Sequence, residues 1–178
     1  MNLKLPKTYK LMLALAVVTG PFIWLVLTAD GQRRSDLFLL HLMGHQPFNI
    51  ALERLGPGVG LRAIEKQFPR VTFDCHSAAS TLGERVCAAG IGSFNGIPAR
   101  SARLWLAGDS LRAVRLDYRR RYHDLLIESL TQSFGEPKLQ AAGGSAINSW
   151  ELSDGVLLLP TTVDKDDDAA LMWLASGA

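Results

Sequence analysis

The sequence predicts an α+β protein: an N-terminal transmembrane helix, then two tandem helix-then-three-strand units that share one antiparallel sheet. Three observations predict it. An uncharged run extends from Leu11 to Ala29. Two short segments carry apolar residues at helical steps, Leu61, Ile64 and Phe68 in the first and Ile127, Leu130 and Phe134 in the second. Each of these segments is followed by alternating runs punctuated by Gly, Pro and Asp, the pattern of short strands.

The uncharged run, LMLALAVVTGPFIWLVLTA, is long enough as a helix to span roughly 28 Å, against about 30 Å of bilayer hydrocarbon. Its apolar character on every face, with Lys4, Lys7 and Lys10 just ahead of it, reads as a membrane-directed segment. Gly20-Pro21 is tolerated inside a membrane helix. Two fates remain open: an uncleaved signal-anchor, or a signal peptide cut near Ala29. The large Leu27 makes a poor cleavage site and the run exceeds a usual signal core, so the anchor is favoured. No cysteine follows to carry a lipid. The lysines place the N-terminus in the cytoplasm of a bacterium and the body in the periplasm. Residues 1–29 are then the cytoplasmic tip and anchor, 30–56 a connection with a short interfacial helix, and 57–178 the periplasmic body.

The body divides at about residue 121. In the first unit (57–121), LRAIEKQF forms a helix closed by Pro69, and VTFDC alternates as a strand. Val86 to Phe94 is small and Gly-rich, the character of an irregular strand or bulge. ARLWLAGDSLRAVRLDYR is a hairpin turning at Gly108-Asp109, with Val114, Leu116 and Tyr118 on one side of its second strand and Arg115, Asp117 and Arg119 on the other. In the second unit (122–178), LLIESLTQSFGEP is a helix ended by Gly135 and Pro137. AAGGSA (141–146) reads as a linker, and INSWEL, VLLLPTTV and ALMWLA as strands. One helix and three strands cannot enclose a core alone, but two such units can pool their strands.

"IEKQFPR" and "LTQSFGEP" look like successive ends of one repeated helix, Phe134 falling on Phe68 and Leu130 on Ile64. This duplication, over residues 57–176, resembles the tandem-repeat fold of β-lactamase inhibitory protein and the small lipoproteins of outer-membrane assembly. The first copy departs from that pattern, with Pro69 where a Gly belongs, and no lipid-bearing cysteine is present. The resemblance implies a protein-binding role without catalysis.

Composition narrows the partners. The chain carries a formal +2, but three of its 19 basic residues are the lysines before the anchor. The rest is nearly neutral, which gives no basis for nucleic-acid binding. Locally the balance is uneven. Arg100, Arg103, Arg112, Arg115, Arg119, Arg120 and Arg121 cluster with only Asp109 and Asp117 among them, whereas residues 150–178 are acidic. Two readings follow: the patches neutralise each other, or Arg103, Trp105, Arg115 and Arg119 form a partner-binding face on which Trp105 stacks beneath a guanidinium. The partner is then another envelope protein; an anionic lipid headgroup or a glycan is the alternative.

Catalytic and metal signals are weak. No G-x-S-x-G or S-x-x-K motif occurs, and GPGVG (56–60) lacks the lysine of a phosphate loop. A small enzyme would have to use His76 or His123. His41 and His45 stand four apart but lack a third ligand, and the run Asp164 to Asp168 lacks the glycine and distal glutamate of a calcium loop. No cofactor is expected. Cys75 and Cys87 bracket CHSAASTLGERVC. In an oxidising compartment this spacing reads as a disulfide between the first strand and the next, with residues 77–84 as an exposed loop. A redox pair would more often be C-x-x-C, and zinc would need two further ligands.

Overall fold

The computed structural model describes residues 6–142, 145–165 and 169–177. The apolar run forms α1 (Lys7–Leu27), none of whose residues is buried. Pro21 sits within it. Thr28 turns to an extended conformation (φ −98°, ψ 145°) and ends the helix. Its hydroxyl donates to the Trp24 carbonyl (2.7 Å) and accepts from the Gly31 amide (3.0 Å), so one side chain closes α1 and caps α2 (Ala29–Leu42). Gly31 must be glycine here: a Cβ would lie 2.3 Å from the Trp24 carbonyl oxygen. Hydrogen bonds from Arg33 and then Arg34 hold the Asp30 carboxyl below its usual pKa at this corner.

The body alternates helices and strands as follows: α3 (Leu61–Gln67), β1 (Asp74–Ser80), β2 (Gly83–Gly90), β3 (Ser93–Phe94), β4 (Ile97–Ala107) and β5 (Ser110–Tyr118), then α4 (His123–Phe134), β6 (Lys138–Ala142), β7 (Ser145–Glu151), β8 (Gly155–Pro160) and β9 (Ala170–Ala175). All strands join one antiparallel sheet in the order β1-β2-β4-β5-β9-β8-β7-β6, with two-residue β3 paired to β4. The helix α4 carries the chain from the middle of the sheet to its far edge, and the later strands return until β9 meets β5.

Period-two patterning decides what the sheet buries. One rung of paired residues crosses six strands: Cys87, Leu104, Val114, Trp173, Leu157 and Trp150, all buried. Leu61 and Ile64 of α3 and Leu126 and Leu130 of α4 complete the same core. Gly155 makes room for the Trp173 indole; a Cβ there would come within 2.6 Å of its ring nitrogen. Gly135, at φ +85°, ends α4 as predicted, and its carbonyl accepts from Trp150 Nε1 at 2.9 Å.

Several expectations need correction. More than three strands follow each helix: four long ones plus β3 after α3, and four after α4. In the second unit the predicted linker hides the difference, because Ala141, Ala142, Ser145 and Ala146, which give no apolar alternation, still pair as the end of β6 and the start of β7. The strand expected at VTFDC starts later, at Asp74, and runs through the predicted loop to Ser80. The Val86 to Phe94 segment is not irregular at its start, since Gly83–Gly90 pairs in register with β4. The core also begins before residue 57. Phe48, Ile50, Leu52 and Leu55 are buried in it, and Phe48 packs against Phe68 with ring centroids 4.6 Å apart. In α4 the buried stripe is centred on Leu126 and Leu130, while Ile127 and Phe134 are only partly covered.

Candidate partner-binding face

Residues that alternate with the core-facing ones lie on the opposite face of the sheet, away from α3 and α4. One rung there runs His76, Val86, Trp105, Ala113, Leu174 and Val156. The next runs Asp74, Ala88, Arg103, Arg115, Met172 and Leu158. Trp105, Met172, Leu174, Val156 and Leu158 are half-buried, so this face presents an apolar strip beside two arginines.

Arg103 and Arg115 are direct cross-strand partners, which would repel if unscreened. Asp117 prevents this. Its Oδ1 accepts from Arg115 Nε at 2.7 Å, and its Oδ2 faces Arg103 at 3.4 Å and accepts from Ser101 Oγ at 2.6 Å. Asp117 is buried beneath the guanidinium groups, whose outer edges stay in solvent. The hairpin turns at Gly108-Asp109, and an extra residue, Arg112, bulges so that Trp105 pairs with Ala113.

Arg119 does not join this face. It donates to Asp36 Oδ2 of α2 at 3.1 Å; Arg121 and the Tyr122 hydroxyl (2.8 Å) reach the same oxygen. Arg33 adds a bond from α2 to the Gly96 carbonyl at 3.3 Å. The predicted quartet is therefore split: Arg103, Trp105 and Arg115 come together, and Arg119 fastens α2. Arg121 stood out only as a member of the arginine cluster, and its meeting with Asp36 and Tyr122 had no sequence signal, because more than 80 residues separate Asp36 from its partners and no periodicity links them.

His123 is buried, with Nδ1 2.6 Å from the Tyr118 hydroxyl and Nε2 3.2 Å from the Thr161 carbonyl. A neutral ring protonated on Nε2 satisfies both contacts, accepting from Tyr118 and donating to Thr161. Burial pushes the Tyr118 phenol well above its usual range. This is the geometry of a latch between β5, α4 and the strand-end at Thr161. His76 is exposed on edge strand β1, at the end of the Trp105 rung. Cys75 and Cys87 are disulfide-bonded and directly paired across β1 and β2. His41 and His45 are exposed, and no group of three metal-binding side chains occurs among the described residues. Of the acidic run, Asp164 offers its carbonyl to Arg120, while Asp166, Asp167 and Asp168 lie outside the described residues.

No family model matches the chain, and no curated protein matches it either. Among solved structures it is similar to a DUF4309 family protein, YjgB, from Bacillus subtilis, at 10% identity and a TM-score of 0.37. That match covers 80% of this chain and 95% of the other.

Proposed function

We propose that this chain is a single-pass protein of the bacterial inner membrane whose periplasmic body binds another envelope protein without catalysis, as an accessory subunit, assembly factor or inhibitor. The observation that carries this reading is the outer sheet face, where Trp105, Leu174, Met172 and Val156 stand half-exposed beside Arg103 and Arg115. Half-exposed Trp with adjoining Arg is the composition of interface hot spots. Two further features support the location: α1 is 21 residues long and contains an 18-residue stretch with a mean hydropathy of 2.0, and the disulfide fits an oxidising compartment. The two helix-led halves are read as tandem repeats of the β-lactamase inhibitory protein type, for which the mirrored order of strands about β5 and β9 is the support.

A photo-crosslinking amino acid at position 105, in cells, tests the binding role. A discrete protein adduct that disappears when Arg103 and Arg115 are both changed to Glu is the expected result. Adducts no different from those at exposed Glu128 on α4 would refute it. Alkaline phosphatase fused after Ala178 should be active; an inactive fusion paired with an active cytoplasmic reporter reverses the topology.

A further inference from the structure

The two faces of α2 differ sharply. Asp36 and Leu40 turn to the body, the first into the Arg119–Arg121–Tyr122 clamp and the second into burial. On the other side Phe38, Leu39 and Leu42, followed by Met43 at the cap, are exposed, at 67%, 52%, 73% and 69%. Steps of three and four put Phe38, Leu39 and Leu42 on one stripe. A folded body has no reason to hold four large apolar side chains in water side by side. Arg34 and His41, both exposed, flank the stripe.

Where α2 begins decides what covers it. Thr28 breaks the rod directly after α1, so α2 departs where a spanning helix leaves the hydrocarbon. Trp24, in the last turn of α1, is 42% exposed and has the Arg34 guanidinium 5.8 Å from its ring centre. Trp with a neighbouring Arg at a helix end is the pairing found at the headgroup level of membranes. A short helix with an apolar stripe, basic flanks and a polar opposite face lies in the plane of that boundary.

We propose that α2 is a membrane-surface helix: its Phe38–Leu39–Leu42–Met43 stripe is seated in the phospholipid headgroup and acyl boundary of the bilayer that α1 spans, while its Asp36 face is bolted to the body. The inference rests on the anchor reading of α1. It deepens that reading, because the domain then stands at a fixed height and orientation instead of swinging on a tether. A second copy of the chain pairing stripe to stripe is the competing occupant.

The test uses the full chain in phosphatidylethanolamine/phosphatidylglycerol vesicles. The native cysteines are joined to each other, so single cysteines introduced as Phe38→Cys, Leu42→Cys, Leu15→Cys and Ser153→Cys can be labelled selectively with bimane. Brominated phospholipid should remove more than about half of the fluorescence at 38 and 42, as at 15 in α1, and leave 153 unchanged. Quenching at 15 without quenching at 38 and 42 overturns the surface helix and keeps the anchor. No quenching at 15 overturns the anchor, and the inference with it. Disulfide-linked dimers through Phe38→Cys, with the label at 42 unquenched, assign the stripe to a second copy and also overturn it.

Discussion

Two aspartates each gather two arginines and a hydroxyl, with opposite consequences. Asp36 takes Arg119, Arg121 and Tyr122 from residues more than 80 positions away, and so fixes a separate helix to the body. Asp117 takes Arg103, Arg115 and Ser101 from its own strand and the next, which the ladder already holds together. Removing the first group loosens the architecture; removing the second chiefly changes the surface presented, at a smaller cost in stability. A cluster of like charges in a sequence is thus no single feature. Its members divide according to which carboxylate the fold brings near.

The largest expected effect is at Asp36. Asp36→Ala releases two partly exposed guanidinium groups and strands the hydroxyl of Tyr122, whose side chain is buried. Roughly 2 to 3 kcal/mol should be lost, from the unpaired Tyr122 hydroxyl together with the loosened dock of α2 on the body. Urea unfolding of the full chain in detergent, followed by tryptophan fluorescence, measures it. An effect no larger than that of Asp117→Ala would erase the contrast between the two sites. Asp117→Ala should cost less, about 1 to 2 kcal/mol, because Arg103 and Arg115 can swing into water and leave only their mutual repulsion.

A sharper division comes from paired charge reversals. Arg103→Glu should change stability by less than about 1 kcal/mol yet weaken partner capture at position 105. Arg119→Glu should behave oppositely, faced with Asp36, destabilising the α2 dock while sparing capture. If both variants lose capture equally without loss of stability, the seven arginines act as one surface after all.

Alkali gives the smallest effect, acting at Tyr118, which stands in the chain between Asp117 of one site and Arg119 of the other. The folded pKa of Tyr118 is raised, so the stability tied to its neutral form is intact below the unfolded value of about 10. It falls as pH rises from there toward the folded value, because only the unfolded chain releases the proton. Tyr118→Phe should remove this alkaline slope and cost about 1 kcal/mol at neutral pH, the worth of one hydrogen bond. An unchanged slope in the variant would assign it elsewhere.

What the sequence revealed follows from the range of each contact. The apolar run of α1, the spacing of Leu61, Ile64 and Phe68, the turn at Gly108-Asp109, the stop at Gly135 and the pairing of Cys75 with Cys87 are all local signals, and the structure has each of them. The number of strands was harder to see. β6 has Gln140, Ala141 and Ala142 where alternation should show, and it exists because β7 offers it an edge. Phe48, Ile50 and Leu52 alternate over too few residues to announce a place in the core, yet they fill it beside Phe68. At the candidate site, Arg103, Trp105 and Arg115 followed from strand parity. Arg119 has the same parity, but the strand ends at Tyr118 and the side chain then answers to Asp36.

The position of β9 carries a consequence for the order in which the protein can be completed. It is synthesised after every other strand described here, yet it occupies the centre of the sheet, joining β5 to β8. Until residues 170–175 arrive, the protein is two half-sheets, each with a raw inner edge and half of a hydrophobic floor. Trp173 is the piece that spans the seam, paired with Val114 on one side and Leu157 on the other. A chain interrupted ahead of it exposes two long strand edges at once, the form in which a partly made protein is most open to mispairing and to proteases. The keystone is laid last, and nothing shorter than the whole body can stand.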